Sequence, residues 1–159
     1  MHPRTIATLE QLRSAEWFSN TGGPASHRVI TVSSWQEAIE SCQSEEWQEL
    51  LLEAANRYSE AVLRRSKERF RQWNDVAHEV KSATEPLVQQ KIASVVEQNR
   101  LPKVFADTVS WDISHCCMES EYADVFEPGF FASQAFWYVN GRFPCGWVGS
   151  FPEGRLRIY

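Results

Sequence analysis

Residues 130–159 read FFASQAFWYVNGRFPCGWVGSFPEGRLRIY, and the fold turns on how this stretch is taken. It holds five Phe, two Trp and two Tyr in thirty residues. Asn140-Gly141 separates FFASQAFWYV from RFPCGWVG, and Pro152-Glu153-Gly154 precedes RLRIY. Asn-Gly accepts positive φ at both central turn positions and matches the two-residue turn that joins twisted antiparallel strands. Pro-Glu-Gly supplies a fixed φ followed by a permissive one, which suits a second tight reversal. Aromatic and β-branched content favours strands. The stretch therefore predicts an antiparallel β-meander with strands at about 131–139, 142–149 and 155–159.

Upstream, helical signals dominate. Thr8-Leu-Glu-Gln11 and Ser34-Trp-Gln-Glu37 have the spacing of capping boxes, and residues 28–32 (RVITV) form a short β-branched run read as a strand. Residues 20–24 (NTGGP) stop the first helix. Ser44 opens a longer pattern in which Trp47, Leu50, Leu51, Tyr58 and Val62 follow 3–4 spacing, with no Gly or Pro between Glu45 and Lys81. At ~1.5 Å per residue that run would extend roughly 55 Å, so a bend or break near Trp73-Asn74-Asp75 is expected. Thr84-Glu85-Pro86 reads as the start of a further helix that ends before Pro102. Residues 104–114 alternate as a half-buried strand, residues 115–126 fit one side of a helix, and Pro128-Gly129 ends it. Helices first and strands afterwards define an α+β fold, an N-terminal helical part packed on the C-terminal meander. At 159 residues the chain fits one domain, 1–159, with residues 1–26 as a loosely attached leading segment.

The chain is acidic, with net charge −5 and a pI of about 5.4, which disfavours general binding to nucleic-acid phosphates. Residues 1–56 carry eight acids and three bases, residues 57–104 six and ten, and residues 105–159 seven and three. A basic middle thus lies between acidic flanks. No run approaches the eighteen apolar residues of a membrane span, and the first residues lack the apolar core of a secretory signal. The four cysteines (42, 116, 117 and 145) are accordingly expected as reduced thiols in a cytoplasm.

Three constellations could carry chemistry. His115-Cys116-Cys117 lacks the paired-knuckle spacing of structural zinc, so no metal and no cofactor is expected. Cys145, with His115 as base and Asp112 as its orienter, could form a thiol enzyme, but aromatic neighbours would raise the thiol pKa. Glu119, Glu121, Asp124 and Glu127, near Asp107 and Asp112, are the densest acidic set. They read either as a solvated face or as a docking surface for a basic partner. The stripe Arg57, Arg64 and Arg71, with Arg65 and Arg69 beside it, is explained largely by pairing with Glu60 and Glu68.

Three functions remain: a binding protein that neutralises a partner, a small cytoplasmic enzyme using the thiol of Cys145 or the carboxylates, and a self-associating structural protein with Trp137, Phe143 and Trp147 at its interface. The first takes Asp112, Glu119, Glu121, Asp124, Glu127, Trp137 and Trp147 as its contact residues, with no catalytic residue. In size, acidic balance and lack of a catalytic motif, the whole chain resembles the small acidic immunity proteins of bacterial toxin–immunity systems, including those of contact-dependent inhibition. The resemblance carries no residue by alignment. It implies a cytoplasmic inhibitor that binds a cognate, basic toxin domain, often a nuclease, and has no direct contact with nucleic acid or membrane.

Overall fold

The computed structural model describes residues 1–20, 28–127 and 129–159. Among these residues the chain forms seven helices and three short strands. In order they are α1 (Pro3–Ser14), β1 (Val29–Thr31), α2 (Trp35–Cys42), α3 (Glu45–Arg65), α4 (Lys67–Arg71), α5 (Trp73–Asn99), α6 (Lys103–Glu121), α7 (Phe130–Val139), β2 (Pro144–Val148) and β3 (Arg155–Ile158). The expected α+β arrangement on a C-terminal antiparallel meander is therefore corrected: the chain is mostly helical, and its sheet is small and mixed. No helix among the described residues is long and apolar enough to cross a membrane.

The expected strand at 131–139 is helix α7. Phe131, Gln134, Ala135 and Tyr138, at i, i+3, i+4 and i+7, form its buried face. Asn140-Gly141 closes this helix instead of joining two strands. The Gly141 N–H bonds to the Tyr138 carbonyl at 3.0 Å and the Arg142 N–H to the Trp137 carbonyl at 2.9 Å. With Gly141 at φ +75°, this is the Schellman ending of a helix. The expected strand at 104–114 is likewise the first half of α6, because Phe105, Val109 and Ile113 lie four residues apart and meet the helical period as well as the alternating one.

Helix α6 is the axis of the fold. It packs against α5, α1 and α7, and from Cys116 to Glu121 every residue is buried. The long pattern from Glu45 breaks twice, at Ser66, whose hydroxyl accepts from the Arg69 N–H at 3.3 Å, and at Gln72. The second break falls one residue before the expected position. Pro86 starts no helix; it lies inside α5 with its ring exposed, so the missing backbone donor faces water. Helix α1 begins at Pro3, a proline at the first helical position, and not at Thr8. The caps at Ser34 and Ser44 form, with the Glu37 carboxylate reaching back to the Ser33 N–H at 3.0 Å. Residues 21–24 of the expected NTGGP stop, and Pro128, lie outside the described residues.

The three strands run β1-β3-β2. β3 pairs in parallel with β1, Val29 opposite Leu156, and antiparallel with β2, Trp147 opposite Leu156. The register slips between Pro144 and Gly146, which places Cys145 at a bulge. An aromatic cluster joins sheet to helices: Phe105 stacks edge-on with Phe143 at 5.1 Å and Trp35 at 5.3 Å, and Trp35 meets Tyr159 at 4.4 Å.

The segment after α1 seals the end of α7. The Asn20 N–H bonds to the Gly141 carbonyl at 3.0 Å, and a Cβ added at Gly141 would lie 2.1 Å from Ser19 Oγ and 3.2 Å from the Glu16 carbonyl oxygen. Gly141→Val meets both a left-handed φ and this contact. It is expected to cost about 3 kcal/mol or more in a denaturant titration. A midpoint indistinguishable from that of the unsubstituted protein would refute the glycine closure of α7.

Candidate functional site

Burial sorts the acidic residues into two groups. Glu119 and Glu121, both at the end of α6, are 3% and 5% exposed. Glu119 Oε2 accepts the Ala132 N–H at 2.7 Å, at the start of α7. Burial pushes its carboxyl above the usual range, opposed by backbone N–H groups of Ala132, Gly129 and Phe131. Glu121 Oε2 accepts the His2 N–H at 2.6 Å and the Thr5 hydroxyl at 2.7 Å, at the start of α1. Both carboxylates thus satisfy the free donors at a helix N-terminus.

The expected acidic docking face is corrected accordingly. Of its members, Asp112, Glu119 and Glu121 point inward, where desolvated carboxylates are held by hydrogen bonds and have no surface to offer. Asp124 is exposed but paired with Arg69 at 3.3 Å, and Glu127 is exposed. Trp137 is 8% exposed and belongs to the core. Trp147 alone among the expected aromatic contacts is half-buried beside an open surface. Of the basic stripe, Arg57 pairs with Glu53 and Arg64 with Glu60 at 3.9 Å, and Arg69 turns inward to donate to the Glu121 carbonyl at 2.9 Å, while among the described residues Arg65, Arg71 and the expected partner Glu68 make no ion pair.

Trp147 borders a groove of about 450 Å³ between α2, the first turn of α3 and β2. Its other walls include Glu37, Glu40, Glu46 and Arg157. Gly146 permits the close approach of α2 to β2, since an added Cβ would lie 3.1 Å from Ser41 Cβ. Arg157 spends its charge locally, 3.8 Å from Glu37 and 3.4 Å from the Ser41 hydroxyl. Among the described residues, Glu40 and Glu46 make no ion pair, and neither do Glu45 and Glu49 on the adjoining turns of α3. Trp147 Nε1 is buried without a hydrogen-bond partner among the described residues. The groove thus offers unpaired carboxylates beside an indole, a surface suited to a cationic partner. Its signal was in the sequence: residues 29–56 contain six Glu and neither Lys nor Arg.

The thiol constellation does not assemble. Asp112 is fully buried and accepts from the Tyr138 hydroxyl at 3.0 Å, not from His115. His115 stacks on Trp111 at 3.6 Å with Nδ1 2.8 Å from the Trp111 carbonyl oxygen. Cys145 is buried, its Sγ directed at the Arg157 carbonyl at 3.6 Å. Burial raises its thiol, the reverse of nucleophile activation. Cys42 is pushed up to about 11 and Cys117 to about 12, again chiefly by burial. All four cysteines are free, and among the described residues no three His, Cys, Asp or Glu side chains are grouped to hold a metal. The chain matches no protein-family model, no curated protein and no solved structure.

Asp112 gives a pH test of this interior. Burial pushes its carboxyl up to about 8, the Tyr138 hydroxyl pulling the other way, against 3.8 for an ordinary Asp. Between these values the folded protein holds a proton that the unfolded chain has lost. Its contribution to stability therefore falls as pH rises through that window and levels off above it. Asp112→Asn removes the titrating proton. The variant is expected to gain on the parent by up to ~1.4 kcal/mol per pH unit between about pH 5 and 7 in unfolding free energy. A constant difference between the two across this range would show that Asp112 carries no such proton.

Proposed function

We propose that the protein is a non-catalytic binding protein that neutralises a basic protein partner by masking it, the role of an immunity-type inhibitor acting in the cytoplasm. The observation that carries this reading is the groove beside Trp147, lined by Glu37, Glu40 and Glu46, of which Glu40 and Glu46 lack ion-pair partners among the described residues. Charge of one sign along a groove steers a partner of opposite sign and rejects others. The half-buried Trp147 supplies the kind of anchor in which interface energy concentrates. The raised, buried thiols favour this reading over the thiol enzyme. A toxin domain with a basic active-site surface, such as a nuclease, has the matching charge.

Capture with the tagged chain from cells that make it is expected to yield one stoichiometric basic protein. Its retention is expected to fall between about 50 and 300 mM salt, as the Debye length shortens. The double reversal Glu40→Lys/Glu46→Lys is expected to weaken that complex at least about tenfold at the lower salt. Its unfolding free energy should fall by no more than about 1 kcal/mol, the scale of reversing a first-turn acid of α3. Undiminished affinity in the double reversal would exclude the groove, and capture of no basic protein would exclude the reading itself.

A further inference from the structure

A second concavity, of about 260 Å³, opens between α3 and the segment leading into α7, with Phe151 on its wall. Its walls are aromatic. Tyr58 and Phe126 lie nearly parallel, 22° apart with centroids at 6.1 Å, and Phe130 meets Phe151 edge-on at 5.9 Å. Two polar residues interrupt this apolar lining: Glu119, 3% exposed and already accepting the Ala132 N–H, and Tyr58, 5% exposed, whose hydroxyl makes no hydrogen bond among the described residues. Glu53 and Glu127 add carboxylates at the rim, against the single guanidinium of Arg57.

The wall already holds one cation. The Arg57 guanidinium lies 5.0 Å from the centroid of Phe151 while pairing with Glu53. Ring faces attract cations through their quadrupole, and more strongly where water is excluded. The rim carboxylates of Glu53 and Glu127 and the Tyr58 hydroxyl supply acceptors for N–H donors at the same place. The volume is below the range of about 300–1,000 Å³ usual for drug-sized ligands, so the body of the ligand is no larger than an amino-acid side chain.

We propose that this pocket is a site for an organic cation, a guanidinium or ammonium on a short apolar stem. The site is separate from the groove beside Trp147 and does not rest on the partner reading. The cation could be a free amine or a basic side chain presented by another protein, and the two sources share this chemistry.

The test uses the full chain with n-butylguanidinium and its neutral isostere N-butylurea, followed by amide chemical shifts in NMR titrations. The guanidinium is expected to shift Phe130, Phe151 and Tyr58 with millimolar affinity, about fivefold or more tighter than the urea. Phe151→Ala is expected to abolish that preference. Arg57→Ala, which removes the competing resident cation from an exposed position, is expected to strengthen guanidinium binding severalfold. A capped peptide carrying one central Arg separates the sources: binding as tight as the fragment's marks a protein side chain, and exclusion of the peptide marks a free amine. Equal binding of urea and guanidinium, no shifts with either, or Arg57→Ala leaving affinity unchanged would overturn the proposal.

Discussion

The architecture depends on two carboxylates that have been taken out of water and given helix N-termini as partners. Glu119 and Glu121 stand two residues apart at the end of α6, so they project about 200° apart around its axis. One binds the start of α7 and the other the start of α1. The same turn of α6 therefore ties helices to nearly opposite sides of itself. A buried carboxylate without partners would be severely destabilising. Here the cost is offset because each meets backbone N–H groups that would otherwise lack partners, at the positive end of a helix dipole. Removing either acid would strand donors as well as a contact, which is why this turn tolerates so little exposure.

That pairing also accounts for what could be read from the sequence. Local signals with one physical meaning were legible: the Ser34 and Ser44 caps, the apolar period of α3, and a break just ahead of Trp73. Signals with two meanings misled. Asn140-Gly141 serves a hairpin and a Schellman ending equally, because both need a residue at positive φ. The aromatic run before it has the composition of a strand, yet Phe131, Gln134, Ala135 and Tyr138 hold helical spacing. Gln134, buried and polar, concealed that face from a reading of hydrophobicity alone. In α6 every residue from Cys116 to Glu121 is buried, acids included, so no polar stripe was left there to mark its period.

The candidate surface was legible as charge and not as geometry. Counting acids by segment marked both flanks alike, whereas local density pointed to residues 119–127. Density failed there because Glu119 and Glu121, two residues apart on a central helix, are both buried, while Asp124 and Glu127 lie beyond its end. The groove and the aromatic pocket are neighbours along one side of α3: Glu46 lines the first and Glu53, seven residues on, the second. Trp147 and Phe151, with centroids 5.7 Å apart, join them across the β2–β3 connection. The two recognition surfaces therefore share a frame, held by the same helix and the same turn.

The sheet has a consequence in time. Its middle strand, β3, is the last of the three to be synthesised, and the flanking strands β1 and β2 touch it and not each other. While a ribosome is still short of Arg155, the other two strands have no ladder to join. The helices around α6 pack chiefly on one another, while α2 meets the last strand segment through Trp35 and Tyr159. Both ladders have β3 as a member, so neither can form before Arg155–Ile158 is present, and that strand is the clasp of the sheet. The groove beside Trp147, walled in part by β2 and Arg157, is complete only once that clasp has shut.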